Sequence, residues 1–159
     1  MLPAFQPKDA EEERLTRAIC HLVDVSWRAH PDYRTFGCLE VATRVNVSSS
    51  GHQGRAFIAA SLLARYKGGR KAIADAPEVR LLGEERLSRA MQLGALMRLG
   101  ATISGAVTGY LNDTPLLLNG NVLRLEPVPT SKVLMGEEVE KRLSQAARAM
   151  ELDWEIGRS

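Results

Sequence analysis

Two short segments concentrate the side chains that could do chemistry. Residues 27–34 hold two arginines, a histidine, an aspartate and two aromatic residues, in the order Trp-Arg-Ala-His-Pro-Asp-Tyr-Arg. Residues 51–57, Gly-His-Gln-Gly-Arg-Ala-Phe, add a second histidine and arginine. Both residue types bind anions through charge-assisted hydrogen bonds, and free N–H groups at the start of a helix add to that attraction. We therefore predict a scaffold that holds these two segments together.

Binding of a phosphorylated anion is the chemistry that these residues favour. The first segment follows one predicted helix, and the second begins the next long one. The candidate phosphate ligands are Arg28, His30, Arg34, His52, Arg55, Arg65 and Lys67. An alternative of equal weight is structural: the arginines of residues 27–34 pair with nearby carboxylates, and the aromatic residues line the edge of the core. Those carboxylates are Asp24, Asp32 and Glu40.

Catalysis within the chain has little support in the sequence. Asp24, His30, Asp32 and His52 are the ligand types of a metal-dependent hydrolase, but their spacing matches no known metal motif. The HExxH, GxSxG and P-loop motifs are absent, and Gly-His-Gln-Gly-Arg is too short to wrap a nucleotide phosphate. We therefore predict no catalytic residue and no metal site, with the two histidines capping helices or binding backbone groups.

Composition is that of an ordinary soluble globular protein. The 159 residues are 45% hydrophobic and 25% charged, which suits one domain or one domain with a small appendage. The net charge is only +2, so anion binding must depend on local clusters, and nucleic acid is not an expected partner. Cys20 and Cys38 form no CxxC motif and are expected as free thiols. No stretch approaches 18 uncharged apolar residues, which favours a cytoplasmic protein without a membrane span.

The first two helices are predicted on either side of a proline. Helix one starts near Asp9 or Ala10 and ends by Arg28 or Ala29, because Pro31 disfavours helical geometry at the residue before it. Helix two is shorter, and residues 46–50 close it with an asparagine and a serine run. Its predicted apolar face consists of Phe36, Leu39, Ala42 and Val45.

Two longer helices follow. Ser50 is the predicted N-cap of the third helix, which should stop at Gly68-Gly69, and a basic loop then runs to Pro77. The longest helix is predicted from Glu84 to about Val107. Its interior glycines cost roughly 1 kcal/mol each against alanine, so we expect a neighbouring helix to approach closely there. These glycines are Gly94, Gly100 and Gly105.

The pattern changes at Gly109. Residues 116–125 predict a β-hairpin, because Asn119-Gly120 tolerates the two positive φ angles of a type I′ turn. A final amphipathic helix is predicted over residues 136–150, followed by a strand at residues 154–156 beside the hairpin. The predicted buried face of this helix consists of Val139, Leu143, Ala146, Ala147 and Met150. The expected fold is mainly α with a small α+β appendage of hairpin, helix and strand. We divide it into a lead-in or linker (1–9), a helical domain (10–108) and a hairpin-helix-strand subdomain (109–159).

Several stretches together resemble a known family. Residues 21–34, 51–57 and 64–68, then residues 80–100, 139–143 and 152–156, are similar to the C-terminal domain of the exopolyphosphatase and guanosine-pentaphosphate phosphohydrolase family, in its alphaproteobacterial form. The resemblance implies an HD-like helical domain. It also implies that two actin-like domains, outside this sequence, carry the catalytic carboxylate and a metal, for which Mg²⁺ is expected, while this chain itself needs no cofactor.

The resemblance further implies that the domain helps to grip inorganic polyphosphate and forms part of a homodimer contact. No HD metal centre is expected, because Val23 stands where such enzymes have a histidine beside Asp24. Three hypotheses follow: a polyphosphate-binding accessory domain, a dimerisation or docking module, and a metal-dependent HD-type nucleotide phosphohydrolase, which is the weakest. For docking, we expect the small-residue face of the helix at 84–107 and the apolar run Leu116-Leu117-Leu118 to supply the surfaces.

Overall fold

A computed structural model describes residues 4–45, 47, 51–67, 69–105, 107, 109–128 and 135–157. It confirms a mainly helical chain that ends in a small sheet with a helix. The helices are α1 (Ala10–Leu22), α2 (Pro31–Arg44), α3 (His52–Tyr66), α4 (Arg70–Ala74), α5 (Glu84–Ser104) and α6 (Glu137–Ala149). The strands are β1 (Leu116–Asn119), β2 (Val122–Leu125) and β3 (Asp153–Ile156). The short helix α4 lies in the stretch that we predicted as a basic loop.

Backbone contacts group the chain into two compact units. One consists of residues 7–94, and the other of residues 1–6 with residues 95–159. Ala4 and Phe5, in the predicted lead-in, are buried, so this part of the N-terminal stretch is packed. Compactness alone does not show independent folding, and the predicted domain boundaries at residues 9 and 108 stay predictions.

Helix α1 begins as predicted and ends earlier. The Asp9 side chain accepts a hydrogen bond from the Glu12 amide at 2.8 Å, and Leu15 and Ile19 are buried on one face. The predicted end at Arg28 or Ala29 is wrong, because the helix stops at Leu22. Residues 23–29 form successive tight turns, in which the amides of Val25, Trp27 and Ala29 bond to carbonyls three residues back. As described below, several carbonyls of this segment accept from side chains of α2 and α3 instead of from a continuing helix.

Helix α2 buries only one residue of the predicted face, Ala42. Cys38 and Ala42 are its buried residues, whereas Phe36, expected in the core, is 69% exposed. A Cβ on Gly37 would lie 2.6 Å from the Ser26 hydroxyl oxygen, so α2 lies close against the turn that precedes it. The predicted N-cap of the next helix, Ser50, lies outside the described residues, and Gly51 takes the N-cap position.

Helix α3 is the central helix of the unit formed by residues 7–94. Its residues from Ala56 to Ala64 are all buried. Helix α5 contacts it at Gly94, where a Cβ would lie 2.6 Å from the carbonyl oxygen of Ser61 and closer still to the side chain of Ala64. The predicted close approach is confirmed at Gly94. It is wrong at Gly105, which has open space around it and a φ of +51° just after the end of α5.

Charged side chains connect α1 to α5. Glu12 is only 7% exposed, and its carboxylate accepts hydrogen bonds from Arg89 Nε at 2.9 Å and Arg89 Nη2 at 2.8 Å. Burial raises the pKa of Glu12, but the hydrogen bonds from Arg89 and from the Lys8 amide outweigh it, so the net pKa is lowered. Lys8 with Glu85 and Arg86 with Glu11 add exposed or half-exposed pairs beside this one. The sequence analysis did not predict these contacts.

The sheet has the order β1-β2-β3, with β1 and β2 antiparallel and β3 parallel to β2. The hairpin and the third strand are confirmed. The turn is not the predicted one, because Asn119 pairs with Val122 and leaves Gly120 and Asn121 as its two central residues. Of these two, only Gly120 has a positive φ, which is the pattern of a type II′ turn. This register keeps Leu123 and Leu125 on the buried face, and a slip of one residue would expose them.

Helix α6 lies between β2 and β3 in the chain and buries the face predicted for it. Val139, Leu143, Ala146 and Ala147 are buried, while Met150, also assigned to that face, is only half-buried. At its end, the Leu152 amide bonds to the Ala147 carbonyl at 2.9 Å, and Glu151 has a φ of +59°. This is a Schellman motif with glutamate at the position that glycine usually occupies.

Candidate anion-binding site

Two of the predicted phosphate ligands, Arg65 of α3 and Arg34 of α2, lie around one aromatic ring at the C-terminal end of α3. The guanidinium carbon of Arg65 lies 4.8 Å from the Tyr66 ring centroid, and that of Arg34 lies 5.9 Å from it. The Tyr66 hydroxyl donates to the Val23 carbonyl at 2.9 Å. Burial raises the pKa of this hydroxyl, so it stays protonated and able to donate. Tyr66, which the sequence analysis overlooked, therefore fastens the turn at residues 23–29 to α3.

Arg34 reinforces the same turn. Its Nε donates to the Ala29 carbonyl and its Nη2 to the Trp27 carbonyl, both at 3.0 Å. The carboxylate of Asp24 lies 3.6 Å from Arg65 Nη2, and the Arg65 side chain is only 14% exposed. The predicted carboxylate pairs of the structural alternative are wrong, because Arg34 binds backbone carbonyls and the partner of Asp24 is Arg65 of α3. A phosphate contact by either arginine stays a prediction.

The other candidates in the first segment face solvent. Arg28 is exposed, with its guanidinium carbon 6.0 Å from the centroid of the exposed Trp27 ring. His30 is the N-cap of α2, and its Nδ1 accepts a long hydrogen bond from the Asp32 amide at 3.4 Å. The predicted capping role of His30 is confirmed.

The N-terminal end of α3 has a different character. His52 and Arg55 are exposed in its first turn, which contains no acidic residue. The N-cap, Gly51, has no side chain to accept from the helix, and the first intrahelical bond is donated only by Arg55, to the Gly51 carbonyl at 3.2 Å. The preceding amides have no acceptor among the residues that the structure describes, and N–H groups at a helix start, together with the helix dipole, favour an anion. Arg86 lies beside this turn, donating to the Gln53 side chain at 3.2 Å.

The two predicted segments do not come together. Tyr66, which the first segment contacts through Arg34, lies fourteen residues beyond His52 on one continuous helix. At 1.5 Å per residue this places them about 21 Å apart along the axis. The prediction of one joint cluster is wrong. Helix α3 instead separates a basic group at its start from a second group at its end, where the exposed Lys67 follows its last turn.

A comparison with protein-family models identifies the chain. The model described as exopolyphosphatase, C-terminal, matches residues 1–153. The chain belongs to the exopolyphosphatase C-terminal domain family. No curated protein matches the chain in a sequence search. The match covers both candidate groups on α3, while the alphaproteobacterial assignment stays a prediction.

Metal ligands are not grouped in the described part of this exopolyphosphatase C-terminal domain. Among those residues, no three His, Cys, Asp or Glu side chains are placed to hold one ion. Asp24, the residue at which we compared the chain with HD hydrolases, faces the Arg65 guanidinium instead. A carboxylate beside a guanidinium serves as a fold contact without any metal. The relation to HD domains stays a prediction.

The surfaces that we predicted for docking are partly used within the domain. Gly94 contacts α3, Leu116 is buried, and Leu118 is 44% exposed. None of the helices in the described ranges is both long and apolar enough to cross a membrane. A docking role for these surfaces and the cytoplasmic location both stay predictions.

Proposed function

We propose that this exopolyphosphatase C-terminal domain binds inorganic polyphosphate, while bond cleavage takes place in actin-like domains outside this sequence, where Mg²⁺ would act. In this proposal the domain is an accessory that retains the substrate chain. Family membership supports the context of an exopolyphosphatase. It does not by itself assign a ligand to this part of the protein, so the proposal depends on the surface of α3.

The observation that carries the proposal is the N-terminus of α3, where no side chain of the described residues caps the helix. An anion there would meet free amide N–H groups, the positive end of the helix dipole and two exposed side chains, His52 and Arg55. No carboxylate of the first turn competes for them. The short chain from Gly51 to Arg55 thus offers one phosphate several donors at once.

Basic residues at the C-terminal end of α3 favour a long anion over a single phosphate. Lys67 is exposed there, and Arg28 is exposed on the turn fastened to Tyr66. A phosphate chain that spans about 20 Å could contact both ends of the helix, whereas a single phosphate could not. Two weak contacts joined by one ligand give much higher affinity than either alone. We therefore expect affinity to rise with chain length.

Binding of long-chain polyphosphate and of pyrophosphate, measured by calorimetry at low and high salt, tests the proposal. Long chains should bind at least ten times more tightly than pyrophosphate, and salt should weaken them, because exposed charges are screened. The double variant His52→Ala/Arg55→Ala should lose most of the affinity. Arg148→Ala is the matched control, since Arg148 is an exposed arginine that belongs to α6 and not to α3.

Two results would contradict the proposal. One is an absence of binding at low salt by a folded protein. The other is an equal loss of affinity in Arg148→Ala and in the α3 variant, which would mean that net charge alone holds the polyanion.

A further inference from the structure

The turn between α1 and α2, residues 23–29, supplies hydrogen-bond acceptors to an arginine that the sequence predicts as a phosphate ligand. We call this segment the strap. Its Trp27 and Ala29 carbonyls accept from Arg34 Nη2 and Nε, each at 3.0 Å. A guanidinium offers the same paired donors to a phosphate. The strap therefore takes the place that two oxygens of an oxyanion would take beside Arg34.

A carboxylate of the strap faces a second arginine. An Asp24 carboxylate oxygen lies 3.6 Å from Arg65 Nη2. The guanidinium carbons of Arg65 and Arg34 lie 4.8 Å and 5.9 Å from the centroid of the Tyr66 ring, so both cations lie beside one side chain. A short oxyanion at the edge of this ring could reach both of them. In the free chain, the strap supplies a carboxylate oxygen and two carbonyl oxygens there instead.

The strap is fixed at its start and open to solvent at its end. The Val23 carbonyl accepts from the Tyr66 hydroxyl at 2.9 Å, and Ser26 is only 4% exposed. Trp27, the next residue, is 51% exposed. The Asp24 side chain is 63% exposed, although its backbone belongs to the fixed part. The groups that occupy the two arginines can therefore move into water while the start of the strap stays packed.

Exchange of the strap for an anion favours the anion at Arg34. An ionised phosphate oxygen is a better acceptor for a guanidinium than a neutral carbonyl oxygen is. The hydrogen bond from Arg34 to the Trp27 carbonyl is exposed, so this carbonyl can accept from water once Arg34 has turned away. At Arg65 one charged acceptor replaces another, and the Asp24 carboxylate competes directly with the anion. The strap thus sets the cost of anion binding at this end of α3.

We propose that the strap is an autoinhibitory contact, which competes with phosphate oxygens for Arg34 and Arg65. An anion that binds these two arginines displaces the Asp24 carboxylate and the carbonyls of Trp27 and Ala29. This inference rests on the proposed function, because the anion is the same polyphosphate. It adds a second, regulated contact at the C-terminal end of α3.

Competition by the strap makes opening depend on the length of the ligand. A long chain that is already held at His52 and Arg55 presents its further phosphates to the strap at a high effective concentration. A short anion has no such anchor and must displace the strap from dilute solution. We therefore expect long chains to open the strap at lower phosphate concentrations than tripolyphosphate does.

Calorimetry with inorganic tripolyphosphate at low salt tests the competition. The background is His52→Ala/Arg55→Ala, which removes the basic side chains at the start of α3. Adding Asp24→Asn should raise the affinity by about threefold to fivefold, because a competing, partly exposed charge is removed. Asp32→Asn is the matched control, since Asp32 is an exposed aspartate whose basic neighbour is His30. It removes the same charge and should change the affinity by less than about 1.5-fold.

Tryptophan fluorescence reports the movement of the strap directly. The chain has two tryptophans, and Trp154→Phe leaves Trp27 of the strap as the single one. Saturation with long-chain polyphosphate should shift the Trp27 emission, with a midpoint at the calorimetric dissociation constant. In Trp154→Phe/Arg34→Ala, no guanidinium holds the Trp27 carbonyl, so the shifted emission should be present without any anion and should not change during titration. Circular dichroism should show that every variant is folded.

Two results overturn the proposal. One is an affinity in Asp24→Asn no higher than in Asp32→Asn, and the other is an unchanged Trp27 emission when calorimetry shows saturation. The second result leaves the proposed function intact, because binding then takes place without the strap. A wild type that binds no polyphosphate at low salt, beside an Asp24→Asn variant that does, contradicts the proposed function and supports the strap as an inhibitor. An absence of binding by both proteins refutes both proposals.

Discussion

Basic residues lie at both ends of α3, and two of those at the C-terminal end have hydrogen-bond or ion-pair partners within the fold. At the C-terminal end, Arg34 donates to two backbone carbonyls and Arg65 lies beside Asp24. At the N-terminal end, Arg55 is exposed in a first turn that has no acidic residue and that no described side chain caps. The first group holds the fold, and the second is open to a ligand. An arginine thus takes its role from the acceptors that the fold places within its reach.

This difference can be tested by stability and binding together. Substitutions at the packed end of α3 should reduce the free energy of unfolding. Substitutions at the open end should change the affinity for polyphosphate while leaving stability nearly constant.

Gly94→Ala should produce the largest effect. The new Cβ would meet the Ser61 carbonyl oxygen of α3 at 2.6 Å, and backbone cannot give way as a flexible side chain can. We expect a loss of about 3 kcal/mol, reduced somewhat by the better helix propensity of alanine. Urea denaturation measures it. Gly51→Ala, at the open end with nothing within 4 Å of its Cβ, is the control and should cost under about 1 kcal/mol.

Glu12→Gln tests the ion pair between Glu12 and Arg89, another arginine that stabilises the fold. The substitution leaves Arg89 half-buried opposite a neutral amide, and we expect a loss of about 2 kcal/mol at neutral pH. The folded-state pKa of Glu12 is lowered, so its contribution is complete above the unfolded pKa of about 4.3 and is lost as the pH falls through the folded value. The gap between wild type and variant should therefore close in acid.

Denaturation curves between pH 3 and pH 7 provide the measurement for Glu12→Gln. Glu13→Gln is the control on the same helix, since Glu13 forms an exposed pair with Arg17 and should change stability little. A gap that is constant over this pH range would show that the ion pair does not stabilise the fold.

Arg34→Ala compares the two ends of α3 directly. Two carbonyls lose a charged donor, but the exposed one regains water, so we expect a loss of about 1.5 kcal/mol. Arg55→Ala should stay within about 0.5 kcal/mol of wild type and should lower polyphosphate affinity instead. Thermal denaturation measures the stability of both variants, and calorimetry measures their affinity for polyphosphate. If Arg55→Ala proves the more destabilising, the assigned roles are reversed.

Gly51→Asp should have the smallest effect on stability, with the opposite sign. Its backbone already has the extended geometry of an N-cap, and a carboxylate there would accept from the free amides. We expect a gain of about 0.5 kcal/mol together with weaker polyphosphate binding, since the carboxylate would occupy and repel the anion site. Gly51→Asn caps without charge, so it should weaken binding less than Gly51→Asp. Equal affinity in all three proteins would place the ligand elsewhere.

Local signals in the sequence predicted the elements well. Apolar spacing gave the buried face of α6 at Val139, Leu143, Ala146 and Ala147, and interior glycine gave the close approach at Gly94. The prediction for α6 depends only on residues a few positions apart. The prediction for Gly94 depends only on the space that a residue without a side chain leaves beside the backbone. The same kind of reasoning identified the hairpin but not its register, because the pairing of leucines on the buried face decided which two residues form the turn.

Hydrogen bonds between residues distant in the chain could not be predicted from one sequence. Helix α1 ends at Leu22 because side chains from distant positions, among them Tyr66, take the carbonyls that follow. The residues near Leu22 form no pattern that predicts these hydrogen bonds. For the candidate site, the sequence identified the basic residues but not their separation along α3, since that depends on which helix end the junction contacts.

The parallel pairing of β2 with β3 sets an order of events during synthesis. The β1–β2 hairpin needs only a two-residue turn and forms in microseconds, whereas β3 must wait until all of α6 has formed and crossed over. Until residues 153–156 have left the ribosome, one edge of β2 remains unpaired. An unpaired strand edge beside apolar residues can pair with other nascent chains, so α6 and β3 protect the hairpin from such pairing once they have formed.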